Sequence, residues 1–446
     1  MTSETAKTGQ STVERVAIIS TGDEVVEGRT VDTNASYIAD QVAALGCDIV
    51  SQITVGDYPD RMAWAWHRSL EQADVVISTG GLGPTADDLT NETVAQVAGV
   101  ELELNQDEAD KIRDLFKSIG REMPENNLKQ AALPAGYELV ANGLGTAPGY
   151  RLVIPQDGHS PTAVVLPGVP REMKAMLEEQ VLPWLASRQG ADRCVLSHTF
   201  QTFGMSESGL DEAVTGLISA DEARVAFRAS FPQISLRITV DGTEADARAR
   251  LDELCTRVRD RLGAAVYAEG DTNMETVVGE LLRAHGKSVA TAESCTGGLI
   301  GNRITDVAGS SEYYTGGLVA YSNDVKHKGL GVSRTTLAMF GAVSEETACE
   351  MAIGVRKHTG ADIGIATTGI AGPGGGTDEK PVGMVAIALS AGDADHATSS
   401  TYQLWGTRDW VKLLTSQIAL DWIRRHLIGL DPLDSNLGRR TRPRKR

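Results

Sequence analysis

The sequence predicts a mixed α/β protein: two three-layer α/β domains joined by a small α+β module. Three observations carry this reading. Apolar runs that stop at glycine, "RVAIIS" at 15–20 and "ADVVISTG" at 73–80, enclose the helix-spaced stretch "NASYIADQVAALG", which is the grammar of a βαβ unit with buried parallel strands. The same grammar returns near Asn273 with "ETVVGELLRAHG", "SVATA", "GGLVAYS", "ADIGIATTG" and "GMVAIALS". Between them, "ARVAFRASF" and "ISLRITVDG" meet at "FPQ" and are followed by the charged helix-spaced run "EADARARLDELCTRVRDRLG", as in a two-strand turn with helical cover.

These patterns set boundaries. Residues 1–14 are polar and are expected to carry no fixed structure, 15–177 form the first α/β domain, 178–266 the small module, 273–430 the second α/β domain, and 431–446 a basic tail. A chain of 446 residues is too long for one core. The formal charge of −18, from 60 acidic against 42 basic side chains, disfavours nucleic acid and anionic membranes as partners, and the run "RRTRPRKR" reads as a solvated tail. No apolar stretch reaches the ~18 residues of a membrane span, and "MTSETAKTGQSTVER" lacks the apolar centre of a signal peptide, so a cytoplasmic location is expected. Five scattered cysteines without C-x-x-C read as reduced thiols.

Chemistry is expected at loops leaving the carboxyl ends of the strands. In the last domain "TAESCTGG" puts Ser294 beside Cys295 and ahead of Thr296, Gly297 and Gly298, where a strand gives way to a helix. Free N–H groups there suit an anion or a developing oxyanion. A second loop, "ATTGIAGPGGGTDEKPVG", offers Thr368, Gly369, Gly372, Gly374, Gly375 and Gly376 as a close cradle for a phosphate. A third, "YSNDVKHKGL", supplies Tyr321 and Lys326, groups able to take the proton of a serine hydroxyl, although lysine in a K-H-K run is more often plain solvated charge.

In the first domain "TGDEVVEG" offers Gly22, Asp23 and Glu24. "TGGLGPTADDLT" offers Gly80, Gly81, Gly83, Thr85, Asp87 and Asp88, and "VGDYPD" adds Asp57. Carboxylates gathered at strand ends repel one another unless a cation intervenes, so Asp57, Asp87 and Asp88 are expected to hold a divalent cation such as Mg²⁺ against an anionic substrate. Asp88 or Thr90 is also expected to cap the helix beginning at Asn91.

"TAESCTGG", "GSSEYYTGGLVAYSNDVKHKGLGV", "GAVSEETACEMA" and "ATTGIAGPGGGTDEKPVG" closely resemble the C-terminal domain of the CinA family, whose members are nicotinamide-nucleotide amidases. The resemblance implies hydrolysis of nicotinamide mononucleotide to nicotinate mononucleotide and ammonia, with no cofactor. It implies Ser294 as nucleophile, Tyr321 and Lys326 as its partners, Thr368 as a further site residue, and Arg408 in "WGTRDW" on the nucleotide phosphate, the wording there departing from the usual "GDR".

"GDEVVEGRTVDTNASYIA", "TGGLGPTADDLTNETVA", "GTAPGY" and "LPGVPREMKAM" are similar to the molybdopterin-binding domain shared with the N-terminal half of the family. That resemblance implies a cation-dependent ADP-ribose pyrophosphatase, with Asn34 among its site residues, and a KH-like middle module, where no G-x-x-G loop supports RNA binding. A homodimer is the family expectation. Two alternatives remain: a nucleotide-binding regulator without turnover, and a molybdopterin-processing enzyme.

Overall fold

The computed structural model describes residues 14–118, 120–188, 194–392 and 395–434. The segment before Glu14 and the basic run 439–446 lie outside the described residues. The chain divides into two compact units, one of residues up to Ser197 with Thr239–Leu251, the other of His198–Ile238 with Asp252 onward.

In the first unit β1 (Arg15–Thr21), β2 (Asp48–Val55) and β3 (Val75–Thr79) are parallel. A two-stranded ladder, β4 (Leu102–Leu104) with β5 (Ala132–Pro134), stands apart. β6 (Glu138–Val140), β7 (Gly149–Val153) and β8 (Thr162–Leu166) complete a six-stranded sheet of order β2-β1-β3-β8-β7-β6. Alternation along β1 assigns its two faces: Ala17 and Ile19 pack with Met62, Trp66 and Leu70, while Val16 and Ile18 pack with Ile38, Val42 and Met173. Helices cover both faces, so the central strands β1, β3 and β8 are buried almost throughout, whereas the edge strand β2 is half exposed.

The expected boundary at 177/178 falls inside a helical stretch running from Pro170 to Arg188. Leu177, Val181 and Leu185 are buried in the first domain's core, so burial of this apolar stripe keeps the segment there.

The small module holds β9 (Cys194–Thr202), β10 (Arg224–Ser230), β11 (Gln233–Gly242) and β12 (Val266–Glu269) in the order β10-β11-β9-β12. The turn expected at "FPQ" joins β10 to β11.

The last domain contains β13 (Val289–Glu293), β14 (Tyr314–Val319), β15 (Ile363–Gly369), β16 (Met384–Ala391) and β17 (Thr398–Gln403). Their order is β14-β13-β15-β16-β17, with β13 parallel to β14 and β15, and β16 antiparallel to β15 and β17. One face is branched and large (Val289, Ile363, Ile365, Val385, Ile387). The other is alanine (Ala290, Ala292, Ala366, Ala386, Ala388), which lets the helix Glu345–Thr359 lie close to the sheet. At Gly364 a Cβ would stand 2.2 Å from the Ala352 carbonyl oxygen, so contact there is backbone to backbone. The packing runs into the expected tail: Leu433, in the short turn Pro432–Asp434, lies against the core. Apolar contact thus orders the first residues past 430.

Candidate functional site

β13 delivers Glu293 and Ser294 to the carboxyl end of the sheet. Glu293, 1% exposed, turns inward and accepts N–H bonds from Gly298 (2.9 Å), Ile300 (3.1 Å) and Gly301 (2.9 Å). It thereby satisfies the free donors of the helix Leu299–Thr305. For the chain to double back over that carboxylate, Gly297 and Gly298 take φ values of 66° and 99°, which side chains disfavour. The Gly297 N–H goes to the Ser294 carbonyl. The expectation that the N–H groups of 297 and 298 await a ligand is therefore overturned: the protein's own atoms hold both. The N–H groups of Cys295 and Thr296 lie against the Cys295 sulfur, a weak acceptor.

Ser294 is held by its N–H to the Thr367 carbonyl (3.0 Å) on β15, and Thr296 Oγ1 meets Thr367 Oγ1 at 2.8 Å. Lys326 approaches from the helix Asn323–Leu330, whose N-cap Ser322 accepts from the Val325 N–H. In that helix Lys326 and Leu330, four residues apart, are the buried pair, so helical period turns Lys326 inward while Lys328 stays in solvent. Lys326 is 1% exposed, and its Nζ lies 2.9 Å from Ser294 Oγ and 2.7 Å from the Ala320 carbonyl oxygen. Both contacts are uncharged, and burial pushes the amine below the ordinary lysine range. A neutral amine can donate to Ala320 while accepting the serine proton. Burial pushes the neighbouring Cys295 thiol up to about 12, which leaves it inert.

Tyr321 is placed elsewhere. It is 63% exposed, and its hydroxyl accepts from Arg408 at 3.0 Å rather than meeting Ser294 or Lys326. Arg408 also donates to the Gly372 carbonyl (2.7 Å), tying the glycine loop to Tyr321. Thr368 is buried and its hydroxyl donates to the Ala342 carbonyl. Gly369 and Gly376 are close approaches, where a Cβ would come within 2.7 Å of Val385 and 2.8 Å of the Val382 nitrogen; Gly374 and Gly375 lie exposed in the loop.

Sequence reasoning missed Lys412. One helical turn after Arg408, its Nζ lies 4.0 Å from where a Cβ on Gly297 would stand. Its signal was the spacing of two cations four residues apart in "RDWVK". Missed as well was Glu293, an acid five residues ahead of a glycine that starts a helix.

In the first unit a cavity of about 430 Å³ is lined by Gly22, Glu24, Asp57, Gly80, Gly81, Gly83, Asp87 and Asp88. Gln130, Thr146, Gly168 and Glu172 also line it, from the stretches "PENNLKQ", "GTAPGY" and "LPGVPREM". Asp23 and Asp57 exchange backbone N–H bonds at 3.0 and 3.2 Å. Burial raises the Asp57 carboxyl above its usual range, the Asp23 N–H opposes this, and the charges of Asp23, Glu24 and Asp87 raise it further.

The hydroxyl of Thr85 donates to Asp87 and Asp88, and its N–H to Asp88 at 2.9 Å. Local bonds thus turn each aspartate toward its own chain. Asp57, Asp87 and Asp88 line the same cavity, and among the described residues no group of three or more His, Cys, Asp or Glu is gathered closely enough to hold a metal ion. Asn34 lies buried behind it, donating to Thr79 and to the Gly168 carbonyl. The helix starts at Thr90 rather than Asn91, without a side-chain cap, because Thr90 bonds back to the Gly80 carbonyl and Asp88 to Thr85.

A separate cavity of about 490 Å³ lies among His285, Lys287, Arg356, Lys357 and His426, at the carboxyl ends of three helices. Cations there offset the helix dipoles.

Residues 17–187 match the family described as "Probable molybdopterin binding domain", 197–268 the "Damage-inducible protein CinA KH domain", and 271–427 the "CinA C-terminal domain". A CinA-like protein of Desulfovibrio desulfuricans is 43% identical over 418 residues, covering 93% of this chain and 97% of that one. The chain belongs to the CinA family. A CinA-like protein of Geobacter sulfurreducens is 42% identical over 418 residues, 93% of this chain and 99% of its own. The solved competence/damage inducible protein of Agrobacterium tumefaciens is 41% identical over 35% of this chain and 93% of its own, with a TM-score of 0.33. The architecture of the family is two α/β domains joined by a small module, and no helix among the described residues is long and apolar enough to cross a membrane.

Proposed function

We propose that the last domain hydrolyses nicotinamide mononucleotide to nicotinate mononucleotide and ammonia. The observation that carries this is the buried Lys326 amine against Ser294 Oγ, a charge-poor pair whose use is to move one proton. Ser294 Oγ bonds to the carboxamide carbon as its proton passes to Lys326. The C–N bond breaks, Lys326 returns the proton to the leaving nitrogen, and ammonia departs from an acyl-serine. Water then attacks that ester, Lys326 taking and returning one proton, which frees the carboxylate and the serine hydroxyl. The N–H groups of Cys295 and Thr296 would steady the oxyanion, a contribution of about 3 kcal/mol per donor. Arg408 and Lys412 supply charge for the phosphate. A binder without turnover would have no use for a desolvated lysine on a serine.

Ammonia release from nicotinamide mononucleotide by the purified chain tests this reading. Ser294→Ala is expected to lose about 10⁴-fold in kcat with Cys295→Ala close to the parent. Activity that survives Ser294→Ala and disappears in Cys295→Ala overturns the assignment.

A second reading, favoured by the acidic cavity around Asp57, is that the first domain hydrolyses ADP-ribose to AMP and ribose 5-phosphate. Asp57, whose proton affinity is raised, takes a proton from the attacking water. A chelator measures whether a divalent cation takes part. Presenting molybdopterin beside ADP-ribose separates this reading from a pterin-processing one.

A further inference from the structure

Besides Phe203 and Tyr267, which join the last domain's core, the middle module sends an aromatic side chain to the start of the last helix. At the tip between β10 and β11, the Phe231 ring lies 4.3 Å from the Trp410 ring with 20° between their planes. Trp405 closes the group, 6.3 Å from Phe231 and 5.5 Å, edge on, from Trp410. Trp405 is 66% and Trp410 41% exposed, while Phe231 is partly buried against the edge of the domain's apolar core. Large aromatics left half in water ask for a reason other than burial.

Its position supplies one. Trp410 sits in the first turn of the helix Arg408–Leu427, whose N-cap Thr407 accepts from the Trp410 N–H. Gly406, at φ 104°, brings the chain so near the Trp410 ring that a Cβ would stand 3.0 Å from it. The same turn sends Arg408 to the Gly372 carbonyl and the Tyr321 hydroxyl, and sends Lys412 toward the Gly297 turn beside Ser294. Both cations are thus carried by one helical turn, and the ring that fixes it from outside the domain belongs to residue 231.

We infer that Phe231 is a positioning residue for the serine site: stacked on Trp410, it sets the first turn of the last helix and with it the placement of Arg408 and Lys412 on an anionic nucleotide. The inference rests on the amidase reading. Phe231 touches neither Ser294 nor Lys326 in this scheme, so its effect falls on substrate binding and leaves proton transfer alone. Losing one stacked aromatic pair corresponds to a change in KM of about 2- to 10-fold.

The test compares the full-length parent with Phe231→Ala, Phe231→Leu, which keeps apolar area without a ring, and Phe231→Tyr, which keeps the ring. KM and kcat for ammonia release are measured across pH, and the dissociation constant of nicotinamide mononucleotide is measured by calorimetry in a Ser294→Ala background. The expected result is a KM about 2- to 10-fold higher in Phe231→Ala and Phe231→Leu, kcat and the pH profile within twofold of the parent, recovery in Phe231→Tyr, and a parallel change in the dissociation constant. Unchanged KM and dissociation constant in Phe231→Ala overturn the inference, as does a kcat loss that Phe231→Tyr does not restore. A parent that releases no ammonia removes the amidase reading, and the calorimetric arm then still decides whether Phe231 governs nucleotide binding.

Discussion

The two sites open in the same way and end differently. Each follows a parallel strand into a pair of glycines at positive φ, Gly80 and Gly81 after β3, Gly297 and Gly298 after the end of β13. In the last domain the turn folds a carboxylate inward, Glu293 onto three N–H groups, and buries an amine against a hydroxyl. In the first domain the carboxylates stay at the cavity wall, and burial, with the charges of Asp23, Glu24 and Asp87, raises the proton affinity of Asp57. The glycine turn therefore specifies close approach and nothing more. Where the charges go sets the two sites apart: a desolvated amine against a serine hydroxyl on one side, a carboxyl of raised proton affinity at a polar cavity on the other.

The sharpest way to break this contrast is to remove the buried amine. Lys326→Met keeps the volume and deletes the proton carrier, so ammonia release is expected to fall by about 10³-fold. In the parent, kcat should rise with pH through the lowered Lys326 value, before the ordinary lysine range is reached, because only the neutral amine accepts the serine proton. The stability sign follows from the same shift. Between the folded and unfolded values the unfolded chain holds more protons, so parent stability rises with pH across that window. Lys326→Met should lose this slope and be no less stable than the parent at neutral pH, read by urea unfolding. A parent whose activity is flat from pH 6 to 10 would count against Lys326 as base.

The matching change in the first domain is Asp57→Asn, with an expected loss of about 10²-fold in AMP formation from ADP-ribose and ammonia release unaltered. Equal loss of both activities would show that the variant damages the chain as a whole and would erase the distinction between the sites.

How far these sites could be read from sequence depends on the range of the interaction. Strands and helices followed from apolar period, and Ser294 with Lys326 from two strand-end loops 32 residues apart. The K-H-K run read as solvated charge until the Ser322 cap set the helical phase that turns Lys326 inward. Tyr321 was grouped with Lys326 by sequence proximity, but it precedes the helix, and solvent exposure sends its hydroxyl to Arg408. Phe231 and Trp410 were illegible because no local pattern marks a contact between a hairpin tip and a helix so distant in the chain. The three aspartates of the first site line one cavity, as their strand-end loops suggested, but the bonds of Thr85 to two of them, at a range of two and three residues, are local details that no apolar period announces.

The smallest expected effect bears on Glu293, and it sharpens the comparison most. If the last domain differs from the first because its carboxylate is spent inside the fold, then Glu293→Gln should act on stability before chemistry. The amide keeps the size of the side chain, yet its nitrogen cannot accept. Glu293 presents Oε2 to Gly298 and Ile300 and Oε1 to Gly301, so one amide orientation strands two buried donors and the other strands one. The better orientation costs about 1–3 kcal/mol, which for a domain of this size lowers the midpoint of thermal unfolding by several degrees. Ser294 still hangs from the Thr367 carbonyl and Lys326 from Ala320, so kcat should fall less than about tenfold at temperatures where the variant is folded. Unfolding by differential scanning calorimetry beside ammonia release at 25 °C separates the two. A variant as stable as the parent but inactive would place the Glu293 charge in the reaction rather than under the turn.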